Sequence, residues 1–405
     1  MSIATELTLD PVLTLDPTYG LVSEATVYPP NESGLWRTVA LLANGGSATS
    51  GFASAVGAFD VRRRGSLIRG AGEAVERFAL APVLADADHL MASPGAEPID
   101  FVTTGLGRAS ALACDFPWYR ATELLTGAES QVPAPVVDYR PGCPSPSKWA
   151  RYFDPSPNGA ASGPSEAFAQ ASALVEVLER DAFLSAWRSQ APLHKVDLAE
   201  LPQSARDRSL AVLLEAAKTA GVHLTLAFVG NDSPVHTAVC VIIGATSSAS
   251  FGAVGLKASA DPLSAMLGAL QEGLQIRELF LSRKPSPFGA GDSVTDDSSR
   301  ADFWSTPQAV STLQAWLQSF PTEPVPAVKP VPGVDVLVRH LASRGIDSHW
   351  VDLTHRLPTP IAELGWVTGK VVCPGAVQLT MDETKNLSLF GPVSERLTLT
   401  PHPLI

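Results

Sequence analysis

The strongest constraint on how this chain folds is a pair of acidic motifs inside apolar segments. One segment contains Glu73-Ala74-Val75-Glu76-Arg77, and another contains Glu176-Val177-Leu178-Glu179-Arg180, so both have the pattern E-x-x-E-R. Carboxylates three residues apart share one face of a helix, where like charges repel unless a cation lies between them. The fold must therefore bring a compensating charge to these positions.

The second segment predicts a long helix that Ser165 caps and that runs to about Arg188. Apolar side chains cover nearly all of its circumference, which is typical of a buried helix. Carboxylates inside a protein must be paired or bind a metal, because uncompensated burial is strongly unfavourable. The first segment predicts a helix over Ser66–Ala81. A third predicted helix, Pro262–Ser282, also contains a glutamate, Glu272, within an apolar segment.

Two interpretations of these glutamates are open. They could form surface ion pairs along each helix, or they could form one cluster shared by three helices. Two copies on apolar helices, together with Glu272, favour the cluster. Carboxylate oxygens suit Mg²⁺, and Mg²⁺ suits a triphosphate. The neighbouring Arg77, Arg180 and Arg277 could contact phosphate oxygens, although pairing with its own glutamates explains Arg77 equally well.

Charge, cysteine content and missing motifs exclude several classes of function. Lys and Arg number 29 against 41 Asp and Glu, a net charge of −12, which leaves neither a basic footprint for nucleic acid nor a polybasic membrane patch. None of the four cysteines forms a C-x-x-C pair, so a reducing cytoplasm fits best. No P-loop, G-x-S-x-G elbow or H-E-x-x-H motif is present.

Turn residues and apolar periodicity place the remaining elements. The apolar stretch Val235–Leu256 predicts buried strands with a turn rather than a membrane span. Residues 1–30 are weakly patterned and could form an arm or an edge strand. The other predicted elements are the strands Val132–Tyr139, Val222–Val229, Thr237–Gly244, His349–Leu353 and Lys370–Cys373, the helix Val334–Ser343, and exposed loops at 284–300 and 321–332.

Several groups of residues, in this order, resemble the motifs of the YcaO family. The resemblance extends from about residue 35 to the end of the chain. It is carried by Gly57-Ala58-Phe59-Asp60 with Gly72-Glu73-Ala74-Val75-Glu76-Arg77-Phe78, by Asn158-Gly159-Ala160-Ala161-Ser162-Gly163-Pro164-Ser165 with the second E-x-x-E-R, by Gly255-Leu256-Lys257-Ala258 with Asp261-Pro262 and Ala269-Leu270-Gln271-Glu272, and by Val351-Asp352-Leu353-Thr354 with Lys370-Val371-Val372-Cys373-Pro374-Gly375.

This resemblance implies an α/β fold with internally repeated halves, mixed sheets packed by helices, and no P-loop. It implies an N-terminal arm at residues 1–30 and one catalytic domain at 31–405. It also implies that ATP and Mg²⁺ are bound. The implied metal ligands are Glu73, Glu76, Glu176, Glu179 and Glu272, and the implied nucleotide-binding residues are Arg77, Ser165, Arg180, Gln275 and Arg277.

The chain departs from the family pattern at three places. The family often has a lysine where Phe59 stands, and polar residues where Ala161 and Pro164 stand. Many azoline-forming members end in P-x-P-x-P, whereas this chain has Leu399 at the first proline position and two residues beyond the last proline. Pro401 and Pro403 could still fix an extended tail that shapes the active site, and an ordinary chain end is the alternative.

The activity that the resemblance implies is ATP-dependent activation of peptide backbone amides. The first expectation is cyclodehydration of Cys, Ser or Thr residues to azolines in a ribosomally made precursor peptide. The alternatives are macroamidine or thioamide formation by the same activation and, from another class, a non-catalytic assembly subunit. The match occupies nearly the whole chain, so a separate partner that recognises the precursor's leader is expected, and a homodimer is left open.

Overall fold

Short runs of strands and of helices follow one another along the part of the chain that this computed structural model describes. That part comprises residues 9–30, 32–44, 55–82, 86, 90–91, 98–139, 149, 151–201, 208–247, 249–385, 398 and 400–405. The strands are β1 (Val22–Tyr28), β2 (Trp36–Leu42), β3 (Ala55–Asp60), β4 (Leu90–Met91), β5 (Trp118–Glu123), β6 (Glu129–Pro133), β7 (Ala160–Gly163), β8 (His194–Val196), β9 (Leu224–Phe228), β10 (His236–Ala245), β11 (Ser250–Ser259), β12 (Thr322–Glu323), β13 (His349–Asp352) and β14 (Val367–Val372). The α-helices are α1 (Pro11–Thr14), α2 (Arg63–Ala79), α3 (Ala134–Val137), α4 (Glu166–Ser189), α5 (Arg208–Thr219), α6 (Pro262–Ser282), α7 (Asp297–Phe303), α8 (Pro307–Gln318), α9 (Val334–Ser343) and α10 (Thr359–Glu363).

The described strands form three sheets. The first has the order β1-β2-β3, and the second has the order β11-β10-β9-β8-β12. The third has the order β4-β5-β13-β14-β7, and β6 is also paired with β5. Pairing is antiparallel except between β12 and β8, which are parallel. The second sheet is therefore mixed, whereas the other two are antiparallel.

Two of these sheets contain the same supersecondary unit. β1-β2-β3 is an antiparallel meander, and α2 follows its last strand and packs on β2 and β3. β9-β10-β11 is also an antiparallel meander, and α6 follows its last strand and packs on β10 and β11. The predicted α/β fold is thus confirmed, and its internal repeat is visible as two meander–helix units. The long helix α4 packs on β7, β14 and β11.

Local sequence signals set where these elements begin. The side chain of Asp261 accepts hydrogen bonds from the first turn of α6, and Pro262 occupies that turn, where no N–H is needed. Ser165 caps α4 through the N–H of Phe168, as predicted. Gly159 has φ +80° in the turn before β7, and a Cβ there would lie 2.3 Å from a backbone oxygen, so both conformation and space require glycine.

An aromatic cluster anchors the C-terminal half of α4. Trp187 packs edge-to-face against Trp304 and Trp316, with ring centroids 5.7 and 5.0 Å apart. Each indole N–H donates to a backbone carbonyl, so the buried polar atoms are satisfied. α4 is apolar on nearly every side because α9, β7, β11 and β14 all pack against it.

A buried ion network fixes the end of α2. The Arg356 guanidinium, which is fully buried, donates to Asp86 and Asp138 at 2.8 Å each and to the carbonyl of Ala79 at 2.8 Å. These contacts tie the turn Thr354–Arg356 to the last turn of α2. Breaking a buried pair of this kind leaves an uncompensated charge and costs about 3–5 kcal/mol.

Two predicted boundaries are wrong, each at a sequence rich in turn residues. The predicted strand Val132–Tyr139 ends at Pro133, and α3 follows, because Pro135 lacks an N–H and fits a first helical turn. The predicted loop at 284–300 ends earlier, since Asp296 and Ser299 form a capping box that starts α7. The loop at 321–332 is confirmed as largely exposed, and the two exposed residues of β12 are the part of it that forms a strand.

The remaining predicted helices and strands are confirmed within a few residues. The N-terminal residues include edge strand β1, so the proposed boundary near residue 30 falls between two paired strands. Cys114, Cys240 and Cys373 are free thiols, and Cys143 and Leu399 lie outside the described residues. Among the described residues, none of the helices combines the length and apolarity needed to cross a membrane.

Close packing of β11 on α6 makes a testable prediction. A Cβ on Gly255 would lie 2.1 Å from the backbone nitrogen of Gly273 and 2.8 Å from the carbonyl carbon of Glu272, so Gly255→Ala must push the helix away. We expect a loss of about 1–3 kcal/mol in the free energy of unfolding, measured by urea denaturation. Gly291→Ala is the matched control, because its Cβ would meet no atom within 4 Å. Equal effects of the two substitutions would contradict the close approach.

Candidate active site

Three helices contribute carboxylates to one electrostatically coupled cluster. Glu76 on α2 interacts with Glu73 and with Glu176 on α4. Glu176 interacts with Glu179, and Glu179 interacts with Glu272 on α6. The structure therefore places Glu76, Glu176, Glu179 and Glu272 near one another across three helices, whereas Glu73 interacts with Glu76 and Arg77 on its own helix.

Burial makes ionisation of these carboxyls unfavourable. The pKa of Glu176 is raised to about 7 from an ordinary value of 4.5, mainly by burial, with attraction to Arg180 opposing the rise and repulsion from Glu179 adding to it. Burial likewise raises the pKa of Glu76 well above its usual range, and that of Glu272 above its ordinary value. Several interacting acids with raised pKa values are characteristic of functional sites.

The edge strand β11 holds two of the carboxylates in place. The N–H of Leu256 donates to Glu272 Oε2 at 2.6 Å, and the N–H of Ala258 donates to Glu179 Oε2. Residues two apart in a strand point their N–H groups to the same edge. The unpaired edge of β11 therefore faces α4 and α6 with two donors, and each carboxylate keeps its Oε1 for another partner.

Arg180 lies between these two remaining oxygens. Its Nη2 is 3.5 Å from Glu272 Oε1 and 3.8 Å from Glu179 Oε1. Both distances exceed the 2.7–2.9 Å or so of a strong charge-assisted hydrogen bond. Its Nε is buried and has no hydrogen-bond partner. The guanidinium is therefore held loosely and retains an unused donor.

Arg77 makes the corresponding contacts on α2. Its Nε lies 2.8 Å from Glu73 Oε1 and 3.7 Å from Glu76 Oε1. The guanidinium also lies 5.9 Å from the centroid of the Tyr139 ring, within range of a cation–π interaction. In this structure Arg77 thus pairs with its own glutamates, which was one of its two predicted roles.

Two lysines that the sequence did not predict as site residues also interact with the carboxylate cluster. Lys370 on β14 is buried, and its Nζ donates to Val136 O at 2.9 Å and Ser156 O at 2.6 Å. Burial lowers its pKa to about 8, against attraction from Asp138 and Glu176. Lys257 on β11 is exposed and attracts Glu176 and Glu272. A lysine inside an otherwise apolar strand was the available signal for Lys370.

The other predicted nucleotide-binding residues are engaged elsewhere or lie beside the cluster. The exposed Ser165 uses its hydroxyl to cap α4. Arg277 pairs with its neighbour Glu278 at 3.1 Å. Gln275 is half-buried, less than one turn after Glu272 on α6. The chain segment of β7 approaches α2 through Ser162, whose hydroxyl donates to Gly72 O at 2.9 Å.

The C-terminal tail is bound along the end of α4. The Thr400 carbonyl accepts a hydrogen bond of 3.1 Å from Trp187 Nε1. The His402 carbonyl accepts hydrogen bonds of 3.0 Å from both Trp304 Nε1 and the buried Arg300 Nη1. Burial, reinforced by repulsion from Arg300, keeps the pKa of His402 well below its ordinary value. Pro401 and Pro403 are thereby fixed on either side of a buried, neutral histidine.

The clustered carboxylates are suitable ligands for a divalent cation, although their oxygens now contact other groups of the protein. Within the described part of the chain, no three acidic, histidine or cysteine side chains converge closely enough to hold a metal ion. Arg180 and the β11 N–H groups take up the oxygens of Glu179 and Glu272. Clustered carboxylate oxygens are nevertheless the ligands that Mg²⁺ prefers, and the unused Arg180 Nε suits an acceptor such as a phosphate oxygen.

Comparison with known proteins places this geometry in context. Residues 61–377 match the family described as YcaO cyclodehydratase, ATP- and Mg²⁺-binding. No curated protein sequence matches the chain.

Solved structures share the fold at low sequence identity. The YcaO protein from Methanopyrus kandleri bound with AMPPCP and Mg²⁺ has a TM-score of 0.66 and 18% identity over 95% of this chain and 92% of its own. A heterocyclase in complex with substrate and cofactor has a TM-score of 0.71 and 18% identity over 97% of this chain, which spans only 57% of that longer protein. A chain of the E. coli microcin synthetase McbBCD complex has a TM-score of 0.59 and 13% identity, covering 86% of this chain and 87% of its own.

The raised pKa of Glu176 predicts a pH-dependent effect of removing its charge. Its folded-state pKa, about 7, exceeds the ordinary 4.5, so ionisation weakens folding progressively as the pH rises from 4.5 through 7. We expect Glu176→Gln to stabilise the metal-free protein by on the order of 1–3 kcal/mol near pH 8 and to have little effect below about pH 5.

Urea denaturation in the presence of a chelator, repeated across this pH range, measures the difference. Glu166→Gln is the matched control, because Glu166 is an exposed carboxylate in the first turn of the same helix. A gain in stability for Glu176→Gln that is independent of pH would contradict the assignment.

Proposed function

The chain belongs to the YcaO family of ATP- and Mg²⁺-binding cyclodehydratases, and from that membership we propose that it converts Cys, Ser or Thr residues of a ribosomally made peptide to azolines. The carboxylate cluster with its loosely held Arg180 is the observation that carries this proposal. It combines oxygen donors for a divalent cation with unused cationic donors for phosphate, on a chain that has no P-loop.

The proposed metal ligands are Glu73, Glu76, Glu176, Glu179 and Glu272. Bound Mg²⁺ would supply the charge neutralisation that phosphoryl transfer requires. Of the proposed nucleotide contacts, Arg180 has the strongest support, because its Nε is buried without a partner. Lys257 joins it as an exposed cation beside the cluster. The other proposed contacts are Arg77, Ser165, Gln275 and Arg277.

The proposed reaction makes an amide oxygen into a leaving group. The substrate's side-chain thiol or hydroxyl loses its proton to solvent and attacks the preceding carbonyl carbon, and the resulting oxyanion takes the γ-phosphoryl group, releasing ADP. The amide nitrogen then loses its proton, a C=N bond forms, and phosphate leaves with the former amide oxygen. No protein nucleophile is required, so the residues act by positioning and by electrostatic stabilisation.

The decisive experiment combines the purified protein, ATP, Mg²⁺ and a candidate precursor peptide. Phosphate release should require the peptide, and the peptide should lose one water for each ring formed. An oxygen isotope placed in the substrate's amide carbonyl should appear in the released phosphate. Phosphate release without isotope transfer would show ordinary ATP hydrolysis and would contradict amide activation.

The same experiment separates the alternatives. An internal amine as nucleophile would give a macroamidine, also with loss of water, and a sulfide donor would give a thioamide with exchange of oxygen for sulfur. The departure of the tail from P-x-P-x-P keeps both open. A non-catalytic assembly subunit would itself release no phosphate with the precursor, but a scaffold has no need for buried carboxylates whose ionisation is unfavourable.

A partner that presents the precursor is part of the proposal. One similar structure is a multiprotein synthetase complex, and another is a longer heterocyclase chain bound to substrate. We expect the leader peptide to bind weakly to this chain alone and tightly when the partner is added. Tight binding by the isolated chain, measured by fluorescence anisotropy, would remove the need for that partner.

Removal of a single carboxylate should weaken nucleotide binding without unfolding the protein. Glu272→Gln keeps the shape of the side chain but weakens its interaction with a divalent cation, so we expect Mg·ATP affinity to fall at least about tenfold. Isothermal titration calorimetry measures the change. Glu166→Gln again serves as the control and should bind like the wild type; equal affinity of both variants would contradict the role of Glu272.

The tail residues Pro401 and Pro403 are proposed to shape the peptide-binding side of the site. Trp187→Phe removes the indole donor to Thr400, so we expect peptide-dependent turnover to fall severalfold while Mg·ATP affinity changes little. Trp316→Phe is the matched control, because its indole N–H donates to Ala191 rather than to the tail. Each change should cost roughly 1 kcal/mol of stability, so equal losses of turnover would contradict a specific role of the tail.

A further inference from the structure

Arg180 occupies the position in which a cation would compensate Glu179 and Glu272. Both carboxylates turn Oε1 toward its Nη2, at 3.8 and 3.5 Å, while their Oε2 atoms accept hydrogen bonds from β11. The carboxylates are therefore held by backbone N–H groups, independently of the guanidinium. If the guanidinium moved away, the two Oε1 atoms would remain directed at the vacated position.

We infer that Arg180 is a built-in counter-cation. A divalent metal ion must displace its guanidinium, which then binds a phosphate group of the nucleotide. This inference rests on the proposed function, since it takes the same cluster as the Mg·ATP site. Arg180 thereby couples the two ligands. Metal binding alone must overcome its attraction to the carboxylates, whereas metal binding with nucleotide gives the guanidinium a new anionic partner.

The contacts of Arg180 support such a transfer. Its distances to the carboxylates are too long for strong charge-assisted hydrogen bonds, so charge–charge attraction is what holds it there, and a divalent ion can replace that attraction. Its buried Nε has no partner now and could donate, together with an Nη, to one phosphate in a fork geometry. The arrangement also explains why the described carboxylates do not converge as a ready metal site.

The coupling is reciprocal by thermodynamic necessity. If nucleotide raises the affinity for metal by some factor, metal raises the affinity for nucleotide by the same factor. In the wild type we expect a factor in the range of about 5–150. Arg180→Met removes both the competing cation and the phosphate contact, so metal should bind more tightly without nucleotide, and the coupling factor should approach one.

The experiment uses Mn²⁺ as a paramagnetic probe and AMPPCP as a nucleotide that is not hydrolysed. Free Mn²⁺ is measured by electron paramagnetic resonance with and without AMPPCP, for the wild type and three variants. Arg180→Met should bind Mn²⁺ at least about fivefold more tightly than the wild type without nucleotide. Arg180→Lys keeps a positive charge but not the fork, so its Mn²⁺ affinity without nucleotide should stay close to that of the wild type.

Arg344→Met is the control for the loss of one positive charge. Arg344 pairs at 2.7 Å with Asp181, which follows Arg180 on α4 but belongs to a different ion pair. This variant should keep both the wild-type Mn²⁺ affinity and the wild-type coupling. Circular dichroism spectra and unfolding midpoints establish that each variant is folded before titration.

The outcomes separate this inference from the proposed function. If the wild type binds Mn²⁺ and AMPPCP together, but Arg180→Met binds Mn²⁺ alone no more tightly than the wild type, the counter-cation role is overturned and the proposed function stands. If Arg344→Met has the same effect as Arg180→Met, general electrostatics explains the result and the inference is also overturned. If the wild type takes up neither ligand, both fail.

Discussion

Compensation of buried carboxylates is the interaction on which the rest of this structure depends. α4 is apolar on nearly every side, and yet it takes Glu176 and Glu179 into the protein. Such burial is tolerated only where opposite charges or hydrogen bonds compensate for the lost hydration of the carboxylates. Here the compensation comes from arginines close in sequence and from the N–H groups at the free edge of β11. The positions of α2, α6 and β11 are thus tied to α4 by electrostatics as well as by packing.

The repeated meander–helix unit explains how these helices reach one place. In each copy the helix begins directly after the third strand, so its middle turns cross the sheet that it has just left. In the second copy, glycines at the β11–α6 contact allow the backbones to approach closely, which puts Glu272 within reach of the edge N–H of Leu256. A bulkier residue at Gly255 would separate the carboxylate from the donor that orients it. The acidic cluster and the close packing are therefore one feature of the fold.

Much of this could be predicted from the sequence because the signals are local. The two E-x-x-E-R motifs fix which helical faces carry acids, and Asp261-Pro262 fixes where α6 begins. A lysine within an apolar strand marks Lys370 as unusual, but the contacts of Lys257, Lys370 and Arg300 could not be predicted, because each involves residues far apart in the chain. Composition predicts that Arg300 lies at the end of a loop. It lies instead in the capped helix α7 and binds the C-terminal tail, about a hundred residues later in the chain. The strand predicted over Val132–Tyr139 failed for a related reason: proline can end a strand or open a helix, and neighbouring packing decides which.

The absence of a P-loop has a physical consequence for how this chain can handle phosphate. A P-loop surrounds phosphate with backbone N–H groups of a glycine-rich turn. In this chain, the backbone N–H groups at the site belong to β11, and they bind carboxylates instead. At the proposed nucleotide site, negative charge is thus fixed first, and phosphate would be held through cations that this charge attracts, namely divalent metal, arginine and lysine. Phosphate binding at such a site depends on the net charge of the surrounding side chains and metal ions, whereas binding by the backbone N–H groups of a P-loop depends on it less. That sensitivity gives a reason for a loosely bound arginine to remain among the acids: it keeps their charge compensated until nucleotide and metal arrive together.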